Sequence, residues 1–389
     1  RGLGDVYKRQ VIMYITVIIG VYVPLKMPSV FGLNPIICWM IILFIYCFIA
    51  SAIPVQTLLQ PRDYINSHQL VIAMALLFIG TLVAHPGIVA PAVNVAAKGA
   101  PPIWPMLFVV IACGAISGFH SLVSSGTSSK QIDKETDAQF VGYGGMLMEG
   151  SLSTLVVVAV AAAIGIGLTL KDGTLLTGAA AWNQHYSSWQ AAAGLGSKIK
   201  AVILGSANLM ESYGIPAKVA VTIMGVFLVS FAATTLDTAT RIQRYIITEL
   251  STDYNFKPLT SRFWATLVAV VSAIILAFIT GDGKGALILW PLFGSVNQLL
   301  AGLALLVTTV YLARKQKPIV YTLIPMIFMV FMTGWAMIYN IVNFYHKHNW
   351  LLFIIGLCVF LLEVWMIVES ILVVRKIGGE TAPAEESGS

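Results

Sequence analysis

Charged residues are scarce in this 389-residue chain, since Lys, Arg, Asp and Glu together make up only 10% of it. A soluble globular domain usually carries about 25% charged residues. Hydrophobic residues make up 58% of the sequence, and the mean hydropathy is +0.86. At this length a water-soluble core cannot enclose so much apolar surface. The composition therefore excludes a cytosolic enzyme, a nucleic-acid-binding protein and a disordered chain, and it predicts a polytopic membrane protein in a lipid bilayer.

Cysteine is scarce as well, and its placement argues against metal and disulfide chemistry. The four cysteines lie within apolar stretches and form no CxxC or Cys/His pattern: Cys38, Cys47, Cys113 and Cys358. Such cysteines are typical of small packing residues. The sequence also lacks HExxH, GxSxG and paired catalytic aspartates in its apolar segments. We therefore predict no metal, no cofactor and no enzymatic activity.

The two ends of the chain differ from its apolar middle. Residues 1–10 contain no initiator Met and lack the cleavage site of a signal peptide. We interpret them as a non-native or cytoplasmic leader, and we expect the chain to be an N-terminally truncated piece of a longer protein. Residues 377–389 are small, polar and acidic, which is typical of a disordered cytoplasmic tail. The segment between them, 11–376, is predicted to be one transmembrane domain.

Ten segments within that domain approach the roughly 20 apolar residues that a spanning helix needs. They lie near 11–25, 35–57, 68–85, 103–121, 141–169, 216–238, 262–280, 287–313, 320–344 and 350–374. The connections between them contain Pro, Gly, Asn and charged residues. The long connection at 170–215 includes a stretch, 201–210, that is too short to span and is interpreted as an interfacial or re-entrant helix. The fold class is therefore an all-α membrane helix bundle.

The distribution of basic residues in alternate loops predicts the orientation. One set of loops holds 15 of the 23 basic residues: Arg1, Lys8, Arg9, Arg62, Lys130, Lys134, Arg241, Arg244, Lys257, Arg262, Arg314, Lys315, Lys317, Arg375 and Lys376. The other set holds 8: Lys26, Lys98, Lys171, Lys198, Lys200, Lys218, Lys284 and Lys347. Because cytoplasmic loops carry the excess of Lys and Arg, the first set and both termini are predicted to be cytoplasmic. The net charge of +6 is then explained by loops, without nucleic acid.

A run of glycines and hydroxyl residues interrupts the segment at 105–131. Its small and polar residues favour a broken helix whose backbone groups hold an ion or a carboxylate. Close packing of small residues against another helix explains the same pattern. The candidate substrate-binding residues here are Ser117, Ser124, Ser125, Gly126 and Thr127. His120 is either a proton relay or an interfacial residue.

Glu149 is an acidic residue in an apolar segment, with no Lys or Arg within two helical turns. Such a carboxyl is either protonated in the bundle or paired with a residue of another helix. It is our candidate for proton coupling. The alternative is a hydrogen-bonded carboxyl that serves packing alone.

Asp237 and Arg241 have the i, i+4 spacing of an intrahelical ion pair. Hydroxyl residues surround them at Thr234, Thr235 and Thr238. This group is either a gate at the cytoplasmic mouth or a salt bridge that anchors a helix end at the membrane interface.

Asn297 and Gln298 follow the helix-breaking Pro291 and Gly294 in the segment at 287–313. Amides this deep in an apolar segment normally hydrogen-bond to another helix. Substrate contact and helix packing both remain open for these two residues.

Five stretches together resemble the signature sequences of the carbon starvation protein family. They are LLQPRDYINS (58–67), ACGAISGFHSLVSSGTSSKQ (112–131), GYGGMLMEGSLSTLV (142–156), SFAATTLDTATRIQRYIITEL (230–250) and LWPLFGSVNQLLAGLAL (289–305). The resemblance extends over about residues 50–310. Family members start with additional N-terminal spans bearing a glycine-rich stretch, which this sequence does not contain.

The resemblance implies a secondary transporter of the amino acid–polyamine–cation superfamily type, with a sodium-symporter-like inverted-repeat fold. It implies import of short peptides or a small carboxylate such as pyruvate, coupled to H⁺ or Na⁺, during carbon starvation. It also implies a bacterial or archaeal inner membrane. A membrane nutrient sensor or a channel acting through a partner is the alternative function, although no filter motif or signalling domain is evident in the sequence.

Overall fold

The computed structural model describes residues 3–29, 32–94, 97, 99–170, 172–281 and 283–379. The described chain divides into two compact units. The first unit is formed within Arg1–Ala100 and Ile132–Ile275, and the second within Pro101–Gln131 and Leu276–Ser389.

Helices dominate both units. In chain order they are α1 (Leu3–Tyr22), α2 (Pro35–Ala52), α3 (Leu59–Ala84), α4 (Phe108–Ala115), α5 (Gly118–Gly126), α6 (Asp137–Ala161), α7 (Gly178–His185), α8 (Trp189–Ala193), α9 (Leu195–Glu211), α10 (Ala217–Asp253), α11 (Arg262–Phe278), α12 (Trp290–Arg314), α13 (Val320–His346) and α14 (Trp350–Gly379). The strands β1 (Leu168–Thr169) and β2 (Leu175–Leu176) form an antiparallel hairpin in the first unit.

Eight helical segments of the described chain are long and apolar enough to cross a membrane, which confirms the prediction of a polytopic helical membrane protein. They are Pro35–Ala52, Leu59–Ala84, Ile103–Lys130, Asp137–Gly165, Ala217–Asp253, Gly285–Arg314, Val320–His346 and Trp350–Glu369. The other two predicted spans, 11–25 and 262–280, are helical but weaker candidates: α1 contains the charged residues Asp5, Lys8 and Arg9, and α11 has only 17 residues. A count of ten spans and an inverted repeat stay predictions.

The described helices reach into both ends of the chain, and the expected leader and tail stay predictions. Helix α1 begins at Leu3, so that most of the expected leader is helical. Helix α14 continues to Gly379, into the start of the expected tail. The remainder of that tail, 380–389, lies outside the described residues.

A ladder of polar contacts joins α3 to α10 in the first unit. Arg62 pairs with Asp237, the Asn66 amide donates to Thr234 Oγ1 at 2.6 Å, and Ser230 Oγ donates to Gln69 Oε1 at 2.8 Å. The α3 members ascend in the sequence while the α10 members descend, so the two helices run antiparallel. Beyond the ladder the same helices share an apolar core that includes Leu77, Met224 and Phe227. We call the three pairs the α3–α10 ladder.

Helix α9 contains the stretch 201–210, and it is longer than expected. It packs against α3, α6 and α10, and Gly205 contacts the backbone of α6 so closely that a Cβ there would overlap the carbonyl oxygen of Ala159. The Asn208 amide donates to the carbonyls of Ala163 and Gly167 at 2.9 and 2.8 Å. These bonds satisfy backbone acceptors where α6 ends.

The second unit is built around α12, which contacts α4, α5, α13 and α14. Pro291 lies in the first turn of α12, where its missing N–H leaves no helical bond unmade. Leu292 of α12 packs with Met337 of α13 and Leu352 of α14 in a small apolar core. This arrangement places the amides of α12 next to the segment at 114–118.

Candidate functional site

A break in the membrane-spanning segment Ile103–Lys130 separates α4 from α5. Ile116 and Ser117 are extended, with ψ of 106° and 137°, between the two helical stretches. The structure therefore shows the broken helix that the glycines and hydroxyls of this segment favour. An interruption at membrane depth exposes backbone groups that need polar partners.

The Asn297 side chain supplies such partners from α12. Its Oδ1 accepts from the backbone N–H of Phe119 at 2.9 Å, and its Nδ2 donates to Ser117 Oγ at 2.9 Å. The same amide nitrogen lies 3.1 Å from Cys113 Sγ, on the other side of the break. Asn297 thus joins both halves of the broken helix to α12.

Close backbone packing accompanies these hydrogen bonds. Gly118, the first residue of α5, lies directly against α12, and a Cβ there would overlap the carbonyl oxygen of Asn297 and the Leu300 side chain. Gln298 is fully buried and its amide donates to the Val109 carbonyl at 3.4 Å, while its Oε1 has no hydrogen-bond partner within the described ranges. For Ser117, Asn297 and Gln298, then, helix packing accounts for much of the available hydrogen bonding.

The other candidates of this segment are spread along α5. Ser124, Ser125 and His120 are exposed, and Gly126 is half-buried at the end of the helix. Thr127 is buried, and its hydroxyl has no hydrogen-bond partner in the described part of the chain. The structure therefore brings Ser117 together with Asn297, but it does not gather the whole predicted set around one point.

Glu149 lies on the exposed side of α6 in the first unit. It lines a cavity of about 1000 Å³ together with Ser67 and His68 of α3 and Phe231 of α10. No basic residue of the described chain forms an ion pair with it. Its role in proton coupling stays a prediction.

Asp237 is almost completely buried, at 1% exposure, and its ion-pair partner is Arg62 of α3. Tyr46 of α2 completes the group, because its hydroxyl donates to Asp237 Oδ2 at 3.1 Å and accepts from Arg62 Nη1. The expected Asp237–Arg241 pair is thus replaced by a contact between helices. Asp237 Oδ1 has no hydrogen-bond partner among the residues that the structure describes. We call Tyr46, Arg62 and Asp237 the buried triad.

The two arginines that follow on α10 bind the end of α2. Arg241 Nη2 donates to the carbonyls of Ala50 and Ile53 at 2.7 and 3.2 Å, and Arg244 Nη1 donates to that of Ser51 at 3.0 Å. A helix ends with unpaired carbonyls and partial negative charge. The guanidinium groups neutralise both, so Arg241 serves to fix α2 against α10.

The hydroxyl residues around Asp237 have separate roles. Thr234 belongs to the α3–α10 ladder, Thr235 is exposed and donates to the Phe231 carbonyl, and Thr238 is buried. Sequence analysis missed Tyr46, Arg62, Asn66 and Gln69 as members of this site. The polar residues of α3 do repeat at i, i+4 and i+7, as do Ser230, Thr234 and Asp237, and matching the two series would have identified the ladder.

No cluster of His, Cys, Asp or Glu suited to a metal ion occurs among the residues described. Two arrangements are the candidate functional features: the break between α4 and α5, which Asn297 holds against α12, and the buried triad. Both are polar structures inside apolar helices. They define a multi-pass helical membrane protein with ionisable groups and irregular backbone in its spanning segments.

The sequence comparisons narrow this class to one family. The chain matches the sequence model described as Carbon starvation protein CstA over residues 4–336, and it belongs to that family. The match begins within α1 and includes both candidate features.

Named relatives come from several bacteria. A protein of Mycobacterium tuberculosis named peptide transporter CstA is 34% identical over 74% of this chain and 43% of its own length. A protein of the same name from Helicobacter pylori is 30% identical over 79% of this chain and 50% of its own. The Escherichia coli pyruvate/proton symporter BtsT is 29% identical over 75% of this chain and 49% of its own length. The chain thus spans about half the length of these relatives. No solved structure matches it.

Proposed function

We propose that the protein is a secondary transporter that imports short peptides or a small carboxylate such as pyruvate, coupled to protons. The break between α4 and α5 is the observation that carries this proposal. Transporters build substrate and ion sites from discontinuous spanning helices, whose half-helix ends point at charged groups. The names of the relatives, peptide transporter and pyruvate/proton symporter, support the same class of function.

In this proposal the substrate carboxylate binds beside the break, where the N–H groups of the first turn of α5 that Asn297 does not occupy favour an anion. Ser124 and Ser125 lie further along the same helix and Thr127 directly follows it, while Asn297 holds both ends of the break. The buried triad is proposed as an ion pair that holds α3 against α10 throughout the cycle, with Tyr46 as its third member. Glu149 is proposed to exchange the coupling proton, because it lines a cavity and forms no ion pair with the described residues.

The proposal also covers the membrane in which the protein lies and the absence of any covalent change of the substrate. We propose a bacterial or archaeal inner membrane with both chain ends cytoplasmic. The excess of basic residues on one side of the predicted spans supports this orientation even without Arg62, Arg241 and Arg244, which lie within α3 and α10. Transport without covalent change of the substrate is proposed, with no nucleic-acid partner and with Na⁺ as the alternative coupling ion.

Uptake of labelled pyruvate into proteoliposomes with an imposed pH gradient tests the function. Gradient-dependent uptake that excess unlabelled dipeptide leaves unchanged identifies a monocarboxylate–proton symporter. Uptake of labelled dipeptide, without pyruvate uptake, identifies a peptide carrier. A lack of uptake for both substrates contradicts the transport proposal and favours a sensor.

The role of Glu149 is tested in the same vesicles with Glu149→Gln. This variant should lose pH-driven accumulation while it folds normally, because the amide keeps the shape of the side chain and cannot carry the proton. Glu249→Gln is the matched control, since Glu249 is an exposed residue of α10 outside that cavity. Unchanged coupling in Glu149→Gln refutes the role.

A further inference from the structure

Glu363 is a buried acidic residue that neither candidate feature includes. It lies in the middle of α14 and is 1% exposed. Neither of its carboxyl oxygens has a hydrogen-bond partner among the described residues. The carboxyl group lies against the backbone of α13, where a Cβ on Gly334 would be 3.3 Å from Glu363 Oε1.

The carboxyl group borders a cavity of about 820 Å³ between α12, α13 and α14. Apart from Glu363, apolar residues and glycines line this cavity, among them Gly302, Leu306 and Val330, together with Trp335, whose indole N–H forms no hydrogen bond with the Glu363 carboxyl group in the described structure. Gly302 and Gly334 widen the cavity because they have no side chain. Nothing in the lining can therefore form an ion pair with the carboxylate.

Other titratable side chains occur on the helices around the cavity, and none of them lines it. Those on α12 and α13 are Tyr311, Arg314, Tyr321, Tyr339, Tyr345 and His346. On α14 itself, Cys358 and Glu369 lie on either side of Glu363 in the sequence, and both are exposed. Glu363 is thus the single titratable group at the described wall of this cavity.

An ionised carboxylate in apolar surroundings is costly unless a cation or hydrogen-bond donors accompany it. A hard metal cation requires several oxygen ligands, and the cavity wall provides one carboxyl group. A proton requires one oxygen atom. The surroundings of Glu363 therefore suit the binding of a proton better than that of a metal ion.

We propose that Glu363 is a proton-binding residue of the transport cycle, separate from Glu149, an inference that rests on the proposed proton-coupled function. Glu363 holds a proton in the buried arrangement seen here. When the cavity between α12, α13 and α14 opens to water, the O–H bond breaks and the proton passes to water. Reprotonation from water on the other side of the membrane restores the neutral acid.

The test compares Glu363→Gln with Glu369→Gln, the exposed glutamate on the same helix. Infrared spectroscopy of the wild-type protein in liposomes should show the C=O stretch of a protonated carboxyl group in the membrane. We expect Glu363→Gln to lose this band and Glu369→Gln to retain it. Glu363→Gln should also reduce pH-driven accumulation of substrate at least tenfold. It should leave exchange of labelled for unlabelled substrate at equal pH within twofold.

The outcomes separate this inference from the proposed function. Normal accumulation in Glu363→Gln overturns the inference and leaves the transport proposal intact. The wild-type protein could instead accumulate neither pyruvate nor dipeptide, while Glu363→Gln alone loses the C=O band. That result supports proton binding at Glu363 and contradicts the transport proposal. Glu363→Asp is the control for misfolding, because it keeps a carboxyl group and should retain the C=O band and part of the substrate accumulation. Uptake driven by a Na⁺ gradient, with no band in the wild-type protein, overturns the inference in favour of sodium.

Discussion

Removal of the charge of Asp237 should destabilise the first unit much more than removal of the charge of Asp63. Both carboxylates lie near Arg62. Asp237 is buried, pairs with Arg62 Nη1 and accepts from Tyr46, whereas Asp63 Oδ1 is 4.0 Å from Arg62 Nη2 and its side chain is 43% exposed. The two variants therefore compare a buried ion pair with a partly exposed one at the same arginine.

Breaking a buried pair from one side costs about 3–5 kcal/mol, because the remaining charge stays buried. We expect about 3 kcal/mol for Asp237→Asn, at the lower end, since the amide oxygen still accepts a hydrogen bond from Arg62. Partly exposed pairs contribute about 0.2–1 kcal/mol, and this is the loss expected for Asp63→Asn. The free energy of unfolding in mixed micelles, followed by tryptophan fluorescence, measures both.

A double-mutant cycle then isolates the pair. Arg62→Met alone leaves Asp237 buried without its partner, while Arg62→Met with Asp237→Asn removes both charges together. The combined loss should be smaller than the sum of the single losses by about 2 kcal/mol. Equal losses for Asp237→Asn and Asp63→Asn, or strict additivity in the cycle, would refute the assignment of a buried ion pair.

Three further predictions follow from other parts of the chain. Asn297→Ala should increase hydrogen exchange of the amides at 117–121 and lower driven uptake, because the break loses its bonds to α12, while Thr308→Ala, at an exposed position of α12 outside the candidate site, should change neither. Gly205→Val should lower the free energy of unfolding by about 3 kcal/mol through overlap with the Ala159 carbonyl, whereas Gly150→Ala, with open space around it, should leave it equal or raise it by up to about 1 kcal/mol. Burial lowers the pKa of His185 from its ordinary 6.5, aided by Lys200, so the stability contributed by the neutral ring is complete above pH 6.5 and declines as the pH falls below it. Thermal unfolding from pH 7.5 to 5 should accordingly show a smaller decline in His185→Gln than in the wild-type protein, and equal slopes would contradict the pKa shift.

Hydropathy and composition were sufficient to predict a multi-pass helical fold, because membrane insertion imposes a strong constraint on each segment separately. The break at 116–117 was also indicated, since Gly114, Ser117 and Gly118 are local signals. The end of α10 was harder to predict, because the helix continues to Asp253 after its apolar segment ends.

Pairing between helices could not be predicted from spacing within one helix. The spacing of Asp237 and Arg241 favoured an intrahelical pair, but both side chains make their contacts with other helices, Asp237 with Arg62 and Arg241 with the carbonyls of α2. These contacts depend on which helices are neighbours. Glu363 illustrates the same limit, since its isolation becomes visible only when the apolar walls contributed by α12 and α13 are known.

The α3–α10 ladder also constrains how these helices can move. A slide of α3 by one helical turn, about 5.4 Å, would bring Arg62 next to Thr234 and leave Asp237 buried beside apolar groups. No intermediate register pairs the charges, so sliding would require the ion pair to separate in an apolar environment. We therefore expect α3 and α10 to move as one rigid unit during a transport cycle, with their register fixed by the three polar pairs. The conformational change should then take place at helix contacts that lack such pairs.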